Sequence, residues 1–441
     1  MNIAIIGDGY VGITTAVCFA KRGHFTYCVG LLQKRIDKIR KGFPVIHEEN
    51  LEQMLKDVLT ERRFEPTIDL DKAVLESDIS FICVGTPNKT DGSIDLSQVK
   101  DASEKIGQVL SKKASYSVVV VRSTVIPGTT DELVIPALER FSGKKAGRDF
   151  GICMNPEFLR EGQAVRNILF PKDIGIVIGE YDEKSGKRLA ELYKVFEAEI
   201  MRTSIRTAEM IKYARNSYLA KDISFANEIA NICQKCGVDY IAVRKGMEMD
   251  ARIGKGRFLN AGAGFGGSCF PKDVRALTTK ASEVGINPEM LRATLKVNDL
   301  QPYKLIELAT QTVGQIKGKS VAVLGLAFKP CTDDMRDAVS IKIVNSLIEQ
   351  GAIVCVHDPR ALDNAKAIFG DEIGYACHAE QALQNADACI IVTEWPEYAN
   401  GELYQHMRRK FIIDGRRVLD PRDLPSGFTY CAIGLSGQVK T

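Results

Sequence analysis

Residues 1–12 read MNIAIIGDGYVG: a short β-branched apolar run, then Gly7-Asp8-Gly9-Tyr10-Val11-Gly12, then an apolar stretch at helical spacing. Glycines at the first, third and sixth positions between a strand and a helix permit a tight turn and let a pyrophosphate approach the helix N-terminal amides. The stretch is apolar enough to invite comparison with a leader peptide. It lacks a basic start, however, and carries Asp8 in the turn, so it predicts a strand and a helix.

Outward from this turn, β-branched runs (NIAIIG, TYCVG, DISFICVG, YSVVVVRST, FGICMNPEF, DIGIVIG) alternate with helical patterns to about Ile200, as in a parallel βαβ sheet. From about Ser204 to Cys236 neither proline nor glycine intervenes, and the apolar spacing predicts one long central helix. Strand patterns resume after about Lys317 with SVAVLGLAF, AIVCVHDP, ACIIVTEW and FIIDGRR. The predicted fold class is α/β: two Rossmann-like doubly wound domains joined by a long central helix and a helical dimerisation region. The expected division is 1–200, 201–314 and 315–441.

With 59 basic and 56 acidic residues the net charge is +3, so no global field attracts nucleic acid or an anionic membrane. No segment reaches the run of about 20 apolar residues that a membrane span needs. Twelve cysteines lie scattered without framework spacing, several inside apolar runs such as Cys83 and Cys389, which points to a reducing, cytoplasmic compartment. Cys233 and Cys236 form a CxxC inside a helical pattern with no second pair, so no metal site is expected.

Four further segments carry chemistry. Cys269 follows Gly262-Ala263-Gly264-Phe265-Gly266-Gly267-Ser268, a backbone with little side-chain bulk that lets a substrate reach the thiol; Lys272 favours the thiolate and Asp273 positions water. Glu157 and Glu161, four apart at a strand's end, share a face if the turn is helical and offer proton transfer. Lys212 and Asn216, one turn apart on the central helix, offer a cation and an amide to a developing oxyanion. Finally, the second strand ends at Gly30, where a carboxylate normally meets the adenosine ribose. Lys34 and Arg35 follow, either of them placed to face a 2′-phosphate, so NADP stands beside NAD as an alternative cofactor.

Together GDGYVG, VGTP, RSTVIPG, NPEFLREG, EMIKYARNSYLA, GFGGSCFPKD, GLAFKPCTDDMRDA and DGRRVLDP resemble the UDP-glucose and GDP-mannose dehydrogenase superfamily over nearly the whole chain. Arg252-Ile253-Gly254, FLNAG and GGSC are more similar to the UDP-glucose branch than to the UDP-N-acetylmannosamine branch, whose loop reads GGHC. The GDP-mannose branch shares GGSC and PKD and stays open. The spacer Lys255-Gly256-Arg257 is one residue longer than usual in the sugar-binding loop. A two-electron hydroxyacid dehydrogenase, which needs no cysteine, and a nucleotide sensor without chemistry are the remaining alternatives.

The resemblance implies a four-electron oxidation of a UDP-sugar with NAD, through a thiohemiacetal and then a thioester on Cys269. It implies oxyanion stabilisation by Lys212 and Asn216, a water and base network at Asp273, and proton transfer supported by Thr124, Glu157 and Glu161. It implies cofactor contacts from Gly7, Gly9, Tyr10, Val11, Gly12, Gly30, Arg35, Val84, Gly85, Thr86, Thr124, Glu161, Lys272 and Arg336. For the substrate it implies Glu157, Phe158, Leu159, Arg160, Glu161, Lys212, Asn216, Phe258, Leu259, Gly266, Cys269, Phe270, Phe328, Lys329 and Arg416. Arg252 is implied to reach the ligand of a neighbouring subunit, in a homodimer paired through the central helices.

Overall fold

The computed structural model describes residues 1–254 and 258–441, so the Lys255-Gly256-Arg257 spacer lies outside the described residues. The chain forms two compact units, 1–215 and 216–441, and the division falls inside the central helix Ile205–Lys235.

In the first unit, β1 (Asn2–Ile6), β2 (Phe25–Val29), β3 (Phe64–Thr67), β4 (Ile79–Ile82), β5 (Val118–Val121), β6 (Gly151–Met154), β7 (Ile176–Glu180) and β8 (Ile200–Ser204) build one sheet. Their order is β3-β2-β1-β4-β5-β6-β7-β8. Alternate residues of β1 serve different cores, with Ile3 and Ile5 on one face and Ala4 and Ile6 on the other. Helices cover both faces, which is why these strands are apolar throughout rather than alternating. Since β2 and β4 flank β1, the chain reverses its winding there, and the glycine turn leaves β1 at this switch point.

The parallel reading of DIGIVIG is corrected: β7 runs antiparallel to β6. The connection between them holds only the short helix Ala164–Leu169 and a tight turn at Pro171–Asp173, not a helix long enough to cross the sheet. Two strands of this unit, β3 and β8, fall outside the runs the sequence offers. β3 is an edge strand with Pro66 within it, and β8 is half exposed, so neither shows a clear apolar run.

In the second unit, β9 (Ser320–Leu324), β10 (Ile353–His357), β11 (Gly374–Tyr375), β12 (Ala388–Ile391), β13 (Phe411–Asp414), β14 (Thr429–Ala432) and β15 (Val439–Lys440) follow the order β11-β10-β9-β12-β13-β14-β15. β9 sits between β10 and β12, repeating the first unit's reversal. Val321 and Val323 meet a core that includes Leu305 and Ala309 of the helix Glu289–Val313, while Ala322 and Leu324 face another around Tyr398 and Tyr404.

Candidate active site

The glycine turn divides its work between fold and ligand. Gly7 has φ +118°, and a Cβ there would meet the Cys83 carbonyl oxygen at 2.4 Å; one on Gly12 would lie 1.9 Å from the Gly7 oxygen. One on Gly9 meets nothing within 4 Å among the described residues. The first and third glycines are therefore required by packing, whereas the second keeps open space in front of the helix Tyr10–Lys21. A cavity of about 800 Å³ opens there, lined by Gly7, Gly9, Gly30, Arg35, Val84 and Gly85 among others. These residues fit a dinucleotide. Thr86 donates to the Thr124 carbonyl at 2.8 Å, tying the ends of two neighbouring strands together.

Tyr10 does other work. Its hydroxyl donates to Glu48 and accepts from the Gly162 amide, while Glu48 also accepts from the Ala164 amide at 2.7 Å. Burial and the Glu48 carboxylate push the Tyr10 phenol well above its usual range. Val11 is half-buried against the adjoining core. Glu48 thus anchors the start of the Ala164–Leu169 helix, a role the sequence reading missed because its partners lie more than a hundred residues away.

The reading of Glu157 and Glu161 on one helical face is corrected. Residues 155–160 are irregular and helix begins only at Ala164, because Asn155 is committed to the Val177 carbonyl, Arg122 and Tyr193. Glu157 turns inward. Its Oε1 accepts from Lys212 Nζ at 2.7 Å, its carbonyl accepts from the same Nζ at 2.8 Å, and its Oε2 accepts from the Leu159 amide. Lys212 and Glu157 are 2% and 6% exposed, so neither charge has water to fall back on. Burial pushes the Glu157 carboxyl up, but Lys212, the Leu159 amide and Arg122 outweigh it and hold it below the usual range. Phe158 lies under the Arg215 guanidinium at 3.7 Å, Arg160 is exposed, and Glu161 is half-buried.

In the second unit, Cys269 caps the helix Phe270–Glu283. Its carbonyl accepts the first helical bond from the Asp273 amide at 2.8 Å, which sets Cys269 at the helix start. Ser268 Oγ stands 3.5 Å from Sγ. Burial pushes the thiols of Cys83 and Cys153 up to about 12, leaving them inert. Asp273, 1% exposed, accepts from Asn216 Nδ2 and from Lys272 Nζ, each at 2.6 Å. Lys272 therefore steadies Asp273 directly. Cys233 and Cys236 do not belong to any metal-binding cluster among the described residues.

The glycine loop before Cys269 is gripped by amides that the sequence reading passed over. Asn227 accepts from the Gly262 amide, Gln301 donates to its carbonyl, and Asn298 bonds both backbone groups of Phe265. Glycine is required for closeness: a Cβ on Gly266 would meet the Asp337 oxygen at 2.4 Å, and one on Gly267 the Phe328 ring at 2.7 Å. Arg416 donates to the carbonyls of Val392 and Gly264, so much of its guanidinium holds backbone. Phe270 packs between Phe258 and Phe265 at 6.1 Å from each, the Leu259 carbonyl accepts from Tyr240, and Lys329 lies 5.8 Å over Phe328. Arg336 pairs with Asp334 and Arg252 with Asp250, both arginines projecting into solvent.

Residues 1–197 match the NAD binding domain of the UDP-glucose/GDP-mannose dehydrogenase family, 206–300 its central domain and 322–421 its UDP binding domain. The chain is 41% identical to the UDP-glucose 6-dehydrogenase AglM of Haloferax volcanii, covering 96% of this chain and 98% of that one. It is also 41% identical to the UDP-glucose 6-dehydrogenase YwqF of Bacillus subtilis, covering 100% and 99%. A UDP-glucose dehydrogenase structure from Pyrobaculum islandicum superposes with TM-score 0.92 at 37% identity over 98% of both chains. The chain belongs to the UDP-glucose/GDP-mannose dehydrogenase family.

Proposed function

We propose that the protein is an NAD-dependent UDP-glucose 6-dehydrogenase, oxidising the C6 alcohol to the carboxylate in two two-electron steps. Residues 1–200 hold the dinucleotide, 201–314 carry the nucleophile and 315–441 hold the UDP moiety. NAD, when bound, accepts a hydride in each oxidation. Lys212 and Asn216 steady the C6 oxygen as negative charge develops on it. Cys269 Sγ adds to the aldehyde carbon to form a thiohemiacetal, whose oxidation leaves a thioester. Water, deprotonated through Asp273, cleaves the C–S bond and returns the thiol with the free acid. Thr124, Glu157 and Glu161 support proton transfer around the first oxidation, Glu157 by holding Lys212 in place.

The observation that carries this reading is Cys269 at a helix start four residues before Asp273, whose carboxylate Asn216 and Lys272 orient. A two-electron dehydrogenase has no use for that arrangement. Assembly as a homodimer accords with the apolar residues exposed along the central helix. The test is the stoichiometry of the purified enzyme: about two NADH per UDP-glucose consumed. Cys269→Ser should yield no free acid, since an oxygen ester at this position hydrolyses far more slowly. One NADH per sugar, or normal acid production by Cys269→Ser, removes the covalent four-electron mechanism, and preferential turnover of GDP-mannose reassigns the substrate.

A further inference from the structure

Gly30 leaves the end of β2 without the carboxylate that ordinarily receives the adenosine ribose. The space in front of it is nevertheless bordered by one. A Cβ on Gly30 would come within 2.9 Å of Asp8 Cγ and 3.0 Å of Asp8 Oδ2. Asp8 extends from the first turn of the fingerprint, between Gly7 and Gly9, into the region where a side chain at position 30 would begin. It is joined there by Arg35, whose Nε donates to Oδ2 at 2.7 Å and whose Nη2 donates to the Asp8 carbonyl at 3.1 Å. Both residues line the 800 Å³ cavity together with Gly7, Gly9 and Gly30.

We propose that Asp8, held by Arg35, is the residue that selects NAD over NADP, supplying from the glycine turn the carboxylate missing from the end of β2. This inference rests on the dinucleotide reading above. With Arg35 on Oδ2, the other carboxylate oxygen remains to accept from ribose hydroxyls. A 2′-phosphate arriving there meets the Asp8 charge and finds Arg35 already neutralised. Gly30 follows as a consequence: a carboxylate at both positions would set two like charges in one space, and the Cβ alone crowds Asp8 and Ile36. The arginine that seemed to invite NADP is withheld from it by its aspartate.

Equilibrium binding separates the possibilities without any turnover. NAD and NADP are titrated by calorimetry into wild type, Asp8→Asn, Arg35→Ala and the double variant, with UDP titrated into each to verify that the protein is folded. Wild type should bind NAD at least about tenfold more tightly than NADP. Asp8→Asn should shrink that ratio by about tenfold, chiefly by tighter NADP binding, and adding Arg35→Ala should abolish the gain. A ratio unchanged within about twofold in Asp8→Asn overturns the proposal and leaves the dinucleotide reading standing. So does a wild type that binds both cofactors equally, a result that needs no variant to fold. A wild type that binds UDP and neither cofactor overturns the dinucleotide reading itself.

Discussion

Lys212 and Glu157 have both left water and meet as a buried ion pair, each offsetting much of the other's desolvation. A buried ion pair adds little net stability against an apolar replacement, but removing one partner strands the other charge. Glu157→Gln should therefore destabilise the protein by about 3–5 kcal/mol at neutral pH, read from urea or thermal unfolding. The sign of the pH effect follows from the lowered pKa in the folded state. The pair's contribution is complete above the unfolded value of 4.5 and is lost as pH falls through the folded one. The gap between wild type and Glu157→Gln should then be widest near neutrality and close in acid; a gap constant from neutral to acid pH would mean another group titrates. The sequence showed Glu157 and Lys212 as chemically able residues. It did not show that they bind each other, because 55 residues separate them and only the irregular path after Asn155 brings the carboxylate inward.

Two glycine-rich elements look alike in sequence and differ in what their missing side chains are for. Gly9 faces open space, so Gly9→Ala should leave the unfolding transition of the protein within about 0.5 kcal/mol of wild type. NAD affinity should fall by about tenfold or more, because the new methyl stands where the pyrophosphate meets backbone amides. Gly266 faces the Asp337 carbonyl, so Gly266→Ala should cost about 1–3 kcal/mol of stability through overpacking. If Gly9→Ala unfolded the protein while Gly266→Ala did not, the two roles would be reversed. The fingerprint turn was legible because strand, glycine spacing and helix are contiguous. The loop before Cys269 was legible as a site, yet its glycines were read as room for substrate, while the packing uses at least Gly266 and Gly267 to reach Asp337 and Phe328. Its clamps, Asn227, Asn298 and Gln301, are polar residues on helices, a pattern that carries no local signal. The same limit explains β3, β8 and the antiparallel β7, whose identity depends on neighbours rather than on their own period.

Both sheets place their first strand between the second strand and a later one, so one winding plan is used twice, first with a glycine fingerprint and then without. That duplication was readable from two runs of β-branched segments, and the helix between them from the absence of proline and glycine. Self-association is a property of the whole molecule, and the central helix carries a surface suited to it. On the central helix Tyr218, Phe225 and Ile232 recur every seven residues, 61%, 46% and 51% exposed, and so lie along one face. Scattered apolar residues on a surface mean little, but a stripe in register is what a helix presents to its own copy across a two-fold axis. Light scattering should give a mass twice that of the 48.6 kDa chain. Phe225→Asp with Ile232→Asp removes four side chains from a symmetric interface; at about 1.5 kcal/mol each this is roughly 6 kcal/mol. The dissociation constant should rise by about four powers of ten, giving monomers at micromolar concentration. Both positions are exposed in the single chain, so the unfolding transition of the dissociated variant should show a folded monomer. An unchanged mass in the double variant would place the contact on another face.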